Sequence, residues 1–192
     1  MASVSREPAT LTLEEFLARG DLDEKPYPEF IDGRIEPKMS PQQDHGLIQV
    51  ELSHRLTSFA RPRRLGLTFT ELRCTFGGRS ILPDVAFLCW PRLVFDANGR
   101  LVNVPTEAPD LHVEIRSPEQ SLRELRERLI HSTSHGAAMG WLIDPYREVL
   151  EVFRPESRVE TLPDDGQLTG DPVMPGFVLP VAEIWGWLRP GR

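Results

Sequence analysis

Residues 81–90 read ILPDVAFLCW and residues 109–118 read PDLHVEIRSP. Each is an apolar run of strand length, marked off by proline and rich in Val, Ile, Leu and Phe, so each predicts a buried β-strand. Each also carries a carboxylate against its own pattern. Asp84 stands directly behind Pro83 at the mouth of the first run, and Glu114 sits inside the second. An ionised carboxylate taken out of water needs a cation or a set of donors to compensate it. Two such carboxylates on two core-like strands therefore form a pair that no ordinary core explains.

Working outward, TLEEFLARG opens with Thr12 followed by Glu15 in a capping-box pattern and ends at Gly20, which predicts a short helix. YPEFIDGRIEPKMS alternates around Asp32-Gly33, a hairpin signal. From about Pro41 to Ala60, Leu47, Ile48, Leu52 and Leu56 fall at helical spacing. LTFTELRCTF is a further strand region, interrupted before Asp84 by Gly77-Gly78. After Glu114, Ser117-Pro118-Glu119 breaks the strand and EQSLRELRERLIHSTSHG predicts a charged amphipathic helix ending at Gly136. MGWLIDP is another buried strand, EVLEVFRP and SRVETLP a hairpin, and LPVAEIWGWL a terminal helix that either closes the core or presents an apolar dimer patch. Strands and helices so mixed predict an α/β domain with an α+β-like mixed central sheet flanked by helices.

The 192 residues suit one compact domain, 1–192, with residues 1–11 expected as a flexible tail. No stretch approaches the ~18 uncharged apolar residues of a membrane helix. The first residues lack the basic start and apolar run of a signal peptide, so the expected location is cytoplasmic, with no membrane partner. Cys74 and Cys89 have neither CxxC spacing nor neighbouring histidines and read as reduced thiols. The net charge of −7 argues against indiscriminate nucleic-acid binding. Its distribution qualifies that argument: between Leu52 and Ser80, Arg55, Arg61, Arg63, Arg64, Arg73 and Arg79 face a single acid, Glu71. Lysine is nearly absent, with Lys25 and Lys38 the only two.

Carboxylates on neighbouring strands suit the hard cations Mg²⁺ and Mn²⁺, which polarise a phosphate and activate water. The segments EFIDGRIEPKMSPQQDHGLIQVELSHRL, LPDVAFL, PDLHVEIRSPEQ, RELRERLIHSTSHGAAMGWLIDPYREVLEVFR and MPGFVLPVAEIW, in this order, resemble the Uma2 family, also called DUF820, a group of proposed restriction endonucleases. The resemblance runs from about Thr12 to Leu188. It implies the restriction-endonuclease-like fold of the PD-(D/E)XK nuclease superfamily, with an acidic metal site on adjacent strands.

By that resemblance Asp84 matches the aspartate of the PD element and Glu114 the acid of the (D/E)XK element. Both would ligate Mg²⁺ or Mn²⁺, with the carbonyl of Ile115 as a further ligand and Glu29 completing or orienting the site. His45 is open to two readings, a family histidine following the Ser-Pro turn or a surface residue at a helix N-terminus. The chain departs from the pattern at the lysine. Arg116 stands two residues after Glu114 where the superfamily has Lys, and Arg128 stands in the helical step where Uma2-like sequences often carry one. Arginine stays protonated and is no general base, but it holds phosphate well. Ser132 also replaces a frequent aromatic. Without the resemblance, Arg123, Arg126 and Arg128 read as a solvated helix face.

The expectation is a metal-dependent endonuclease that hydrolyses phosphodiester bonds in DNA, with Asp84, Glu114 and Glu29 in the acidic site and Arg116 or Arg128 at the phosphate. A homodimer is expected by the same resemblance. The alternative is a catalytically inactive nuclease-fold protein that binds nucleic acid or a protein partner, which the loss of lysine at both positions and the acidic net charge favour.

Overall fold

The computed structural model describes residues 11–38, 41–104 and 106–191. The tail expected over residues 1–11 lies outside them up to residue 10. A short helix α1 (Leu13–Leu17) is closed by the expected capping box, with Thr12 and Glu15 exchanging hydrogen bonds. The hairpin of β1 (Pro28–Ile31) and β2 (Arg34–Pro37) turns at Asp32-Gly33, both at positive φ. Helix α2 (Gln43–Ala60) follows, then β3 (Gly66–Thr70), β4 (Cys74–Phe76), β5 (Arg79–Ile81) and β6 (Val85–Cys89). After a 3₁₀ turn at Trp90–Arg92 come β7 (Leu111–Ile115), α3 (Leu122–Ser134), β8 (Met139–Asp144), the hairpin β9 (Val149–Arg154) and β10 (Arg158–Leu162), β11 (Gln167–Thr169), β12 (Val178–Pro180) and α4 (Val181–Trp187).

The main sheet has the order β10-β9-β8-β7-β6-β3. Only β7 and β8 run parallel, because α3 carries the chain back between them; every other neighbouring pair is antiparallel. A second sheet, β2-β1-β5-β4, holds the N-terminal hairpin, and β11 pairs with β12. This is the expected mixed sheet with helices against it.

Side chains alternate across a strand, and β7 shows what that alternation does here. Leu111, Val113 and Ile115 join Phe87, Trp141 and residues of α2 and α4 in the largest apolar cluster. Val181, Ile184 and Trp185 of α4 are all buried in it, so the terminal helix closes the core and is no exposed patch. His112 and Glu114 point the other way, toward α3, whose Leu125 and Leu129 pack on Leu142 and Phe153. Gly140 lets α3 settle close to the sheet: a Cβ there would lie 2.9 Å from the Leu129 side chain.

The strand pairing that matters most is the one that ends early. Strands β6 and β7 pair antiparallel only from Phe87–Leu111 to Val85–Val113. One more step would set Asp84 opposite Glu114. Instead, the Ile115 N–H donates to Asp84 Oδ2 at 2.7 Å, so a side chain takes the place of the strand backbone. The end of this ladder brings the two anomalous carboxylates together.

Candidate active site

Asp84 is 1% exposed. Its Oδ2 is held by the Ile115 N–H, and its Oδ1 lies 2.7 Å from Lys38 Nζ and 3.4 Å from His45 Nε2. The main chain is held as well, because Gln49 Nε2 of α2 donates to the Asp84 carbonyl at 2.8 Å. His45, at the start of α2, is buried and its Nδ1 lies 3.2 Å from Ser117 Oγ just beyond β7. The reading of His45 as a surface residue therefore fails. It is a buried link between α2, β7 and Asp84.

Lys38 follows β2 immediately and donates to the Leu82 carbonyl at 2.7 Å as well as to Asp84. Its ammonium also lies 3.9 Å from Glu114 Oε2. Burial alone would lower the pKa of this amine, but the charges of Asp84, Glu114 and Glu29 outweigh burial and raise it. Beside these carboxylates Lys38 is protonated. Burial likewise opposes ionisation of Asp84, yet the Lys38 charge and the His45 hydrogen bond hold its carboxyl far below the ordinary range. Asp84 is a fixed anion.

Glu114 is fully buried, and its two oxygens have different surroundings. Oε1 lies 2.8 Å from His112 Nε2, and His112 Nδ1 lies 2.6 Å from Ser132 Oγ of α3. Oε2 is buried without a hydrogen-bond partner among the described residues. The departure at Ser132 acquires a reason: a hydroxyl at that point of α3 meets His112, which in turn fixes the carboxylate.

Glu29 of β1 accepts from the Leu82 N–H at 2.7 Å and from both terminal nitrogens of Arg128, at 3.0 and 2.6 Å. Burial works against the Glu29 charge, but Arg128 prevails and holds its carboxyl below the usual range. Arg128 Nη1 also approaches Glu114 Oε1 at 3.6 Å, so this arginine lies between two buried carboxylates. The solvated-face reading holds for Arg123, which is exposed and pairs with Glu127, and not for Arg128. Arg126 pairs with Glu151 of β9.

The structure thus gathers Asp84, Glu114, Glu29, Arg128 and the Ile115 backbone at one end of β6 and β7. Arg116 is directed elsewhere: it pairs with Asp144 Oδ2 at 3.1 Å and donates to the Gln120 carbonyl. Asp144, the last residue of β8, is buried and receives that arginine. Two residues of the cluster were missed by sequence reasoning. Lys38 was passed over because both positions considered for a lysine lie after Glu114, although its near-uniqueness as a lysine was visible. His112 stands two residues before Glu114 in a strand, and period-two alternation puts both on one face.

The basic middle of the sequence does not form one surface. Arg55 pairs with Glu183, Arg73 donates to the Pro28 and Leu22 carbonyls, and Arg79 holds Asp32. Arg63 and Arg64 lie over Phe59 and Trp90. Cys74 and Cys89 are both free thiols, and burial pushes Cys74 up to about 12.

A cleft of about 440 Å³ opens onto Glu29, Lys38 and Arg128. Its rim is acidic, with Asp32, Glu36, Glu119, Glu124 and Glu127 against Arg79. Among the described residues no group of three or more His, Cys, Asp or Glu side chains gathers as a metal site. The donors that fit a hard cation are the Asp84 and Glu114 carboxylates and the Ile115 carbonyl, all oxygens. In an extended strand a residue's N–H and C=O point to the same side, so the Ile115 carbonyl shares the side on which Asp84 meets its N–H. The unpartnered Glu114 Oε2 is the observation that calls for a cation. A set of this size suits Mg²⁺ or Mn²⁺ ions that retain water in their shell. No helix among the described residues is long and apolar enough to cross a membrane.

No protein with a curated description matches the chain. A solved structure, described as a "putative nuclease belonging to DUF820" from Anabaena variabilis, is similar at 35% identity with a TM-score of 0.85, covering 93% of this chain and 99% of that one. The model of the Uma2 family, described as "Putative restriction endonuclease", matches residues 13–182. That span contains every side chain of the cluster, and the chain belongs to the Uma2 family.

Proposed function

We propose that the protein is a Mg²⁺- or Mn²⁺-dependent endonuclease that hydrolyses phosphodiester bonds in DNA at the Asp84–Glu114 end of β6 and β7. The observation that carries this reading is the pair of fully buried carboxylates with one oxygen, Glu114 Oε2, left without a hydrogen bond among the described residues. Asp84, Glu114 and the Ile115 carbonyl would hold the ion. When bound, the cation supplies Lewis-acid polarisation of the phosphate and lowers the pKa of water.

The side chains present divide the remaining tasks. Lys38, kept protonated, is no general base; it offers N–H donors and a positive charge to a phosphate oxygen or to the attacking water. Arg128 is fixed by two hydrogen bonds to Glu29 and contributes charge from a set position. His112 and His45 each orient one carboxylate, much as histidine-carboxylate contacts order metal sites. Arg116, committed to Asp144, has no part at the phosphate in this reading. The lysine absent from both expected positions is supplied from the N-terminal hairpin instead.

Two copies of the site would reach both strands of a duplex at once, and the reading includes a homodimer acting on DNA in the cytoplasm. The test is cleavage of supercoiled plasmid with Mg²⁺ or Mn²⁺ by wild type and by Asp84→Asn prepared identically. Wild type should nick the plasmid and the variant should be slower by about a thousandfold. Equal rates, or no cleavage by wild type across metals and substrates, would leave a binding protein on a nuclease fold, the reading that the acidic rim of the cleft favours.

A further inference from the structure

Three carboxylates meet at the site, Asp84, Glu114 and Glu29, and two cationic side chains face them, Lys38 and Arg128. The two cations are held very differently. Arg128 makes a two-pronged contact with Glu29, a geometry that fixes a planar guanidinium. Lys38 makes a point contact with Asp84 Oδ1, leans toward Glu114 Oε2 from 3.9 Å, and among the described residues is anchored otherwise only to the Leu82 carbonyl. These two carboxylate oxygens are the ones a hard cation would use, since Asp84 Oδ2 and Glu114 Oε1 are occupied by the Ile115 N–H and by His112.

We propose that Lys38 is an exchangeable internal cation: it neutralises Asp84 and Glu114 in the metal-free protein, and a divalent ion competes with it for those oxygens and releases its ammonium into the cleft. This rests on the proposed metal site and deepens it. An ammonium and a divalent ion that draw on the same two oxygens repel each other, and at contact distances water screens that repulsion only in part. Lys38 has somewhere to go. It lines the cleft, and Glu36, Glu124 and Glu127 line the same space. The acidic rim, unfavourable for a bare phosphate, is suited to receive a displaced lysine. Released from Asp84, the ammonium has its donors free for a phosphate brought to the ion. Metal binding and arming of the lysine are then a single event.

The chain itself simplifies the test, because Lys38 and the exposed Lys25 are its only lysines. Wild-type protein is treated with an amine-acetylating reagent in EDTA and in Mn²⁺, and modification of each lysine is followed by mass spectrometry. Lys38, with 8% of its side chain exposed, should be protected in EDTA and become at least about tenfold more reactive in Mn²⁺, with Lys25 unchanged. Calorimetric Mn²⁺ titration of Lys38→Met should show affinity about tenfold higher than wild type, since the competitor is gone. Should that variant fail to fold, the wild-type labelling decides alone. A wild type that binds Mn²⁺ and cuts DNA while Lys38 stays protected, or a Lys38→Met protein that binds Mn²⁺ no more tightly, overturns the exchange and leaves the nuclease reading standing. A wild type that binds no Mn²⁺ overturns both.

Discussion

Under α2 and α4, β7 presents Leu111, Val113 and Ile115; under α3, the same strand presents His112 and Glu114. One face of the main sheet buries apolar volume and is stabilised by removal of that area from water. The other buries charge beside a smaller apolar cluster and depends on each ion finding its counterpart, since a buried ion pair gains little overall while an unpaired buried ion costs much. The difference shows that the two helices do different work. Helix α2 closes a core and also supplies His45, whereas α3 is a lid whose inner side carries Arg128 and Ser132 to specific carboxylate partners.

The sharpest way to break this comparison is Arg128→Met. It leaves the side chain volume largely intact but strands Glu29, and unfolding by denaturant should show a loss of about 3–5 kcal/mol. In the double variant Glu29→Gln/Arg128→Met most of that loss should return, and a double-mutant cycle measures how much. If the double variant is as unstable as the single one, packing rather than charge holds α3 in place. On the other face, Leu52→Ala should cost about 3 kcal/mol through the cavity it leaves, with Mn²⁺ affinity per folded molecule unchanged. A change in affinity there would mean that the two faces are not separable.

The smallest effect concerns pH. Asp84 and Glu29 are both held below their ordinary values of 3.8 and 4.5, so the unfolded chain takes up these protons first as pH falls. Their contribution is complete above about 4.5 and declines as the solution is acidified below it, each carboxyl adding up to about 1.4 kcal/mol per pH unit to the slope. Denaturant titrations between pH 5 and about pH 3 should therefore show a shallower acid slope in Glu29→Gln than in wild type. Leu52→Ala should lower the whole curve and leave its slope alone.

Much of the fold was legible because period and punctuation agreed. Asp32-Gly33 marked the first hairpin, Thr12 with Glu15 the first cap, and Pro83 and Ser117-Pro118 the ends of the strands that hold the acids. The acidic pair was legible for a physical reason: Asp84 and Glu114 violate the apolar patterns around them. What stayed hidden depends on tertiary distance. Nothing local in IEPKMS says that Lys38 ends beside Asp84, and nothing in RERL says that Arg128 reaches Glu29. Arg116, in the expected place along the sequence, is directed to Asp144 because β8 runs parallel beside β7 and sets that carboxylate within its reach.

The span of the Glu29–Arg128 contact, 99 residues, carries a consequence for how the chain comes into being. Both carboxylates of the pair and Glu29 precede Leu122, so a nascent chain that stops short of α3 contains the negative groups and lacks the guanidinium that lets Glu29 be buried. Closing so long a loop is entropically costly and is repaid only when α3 has strands to rest on, including β8 and β9, which are synthesised later still. A chain that stops short of α3 therefore lacks the partner that balances Glu29, and the acidic centre is complete only once the strands that carry α3 are present.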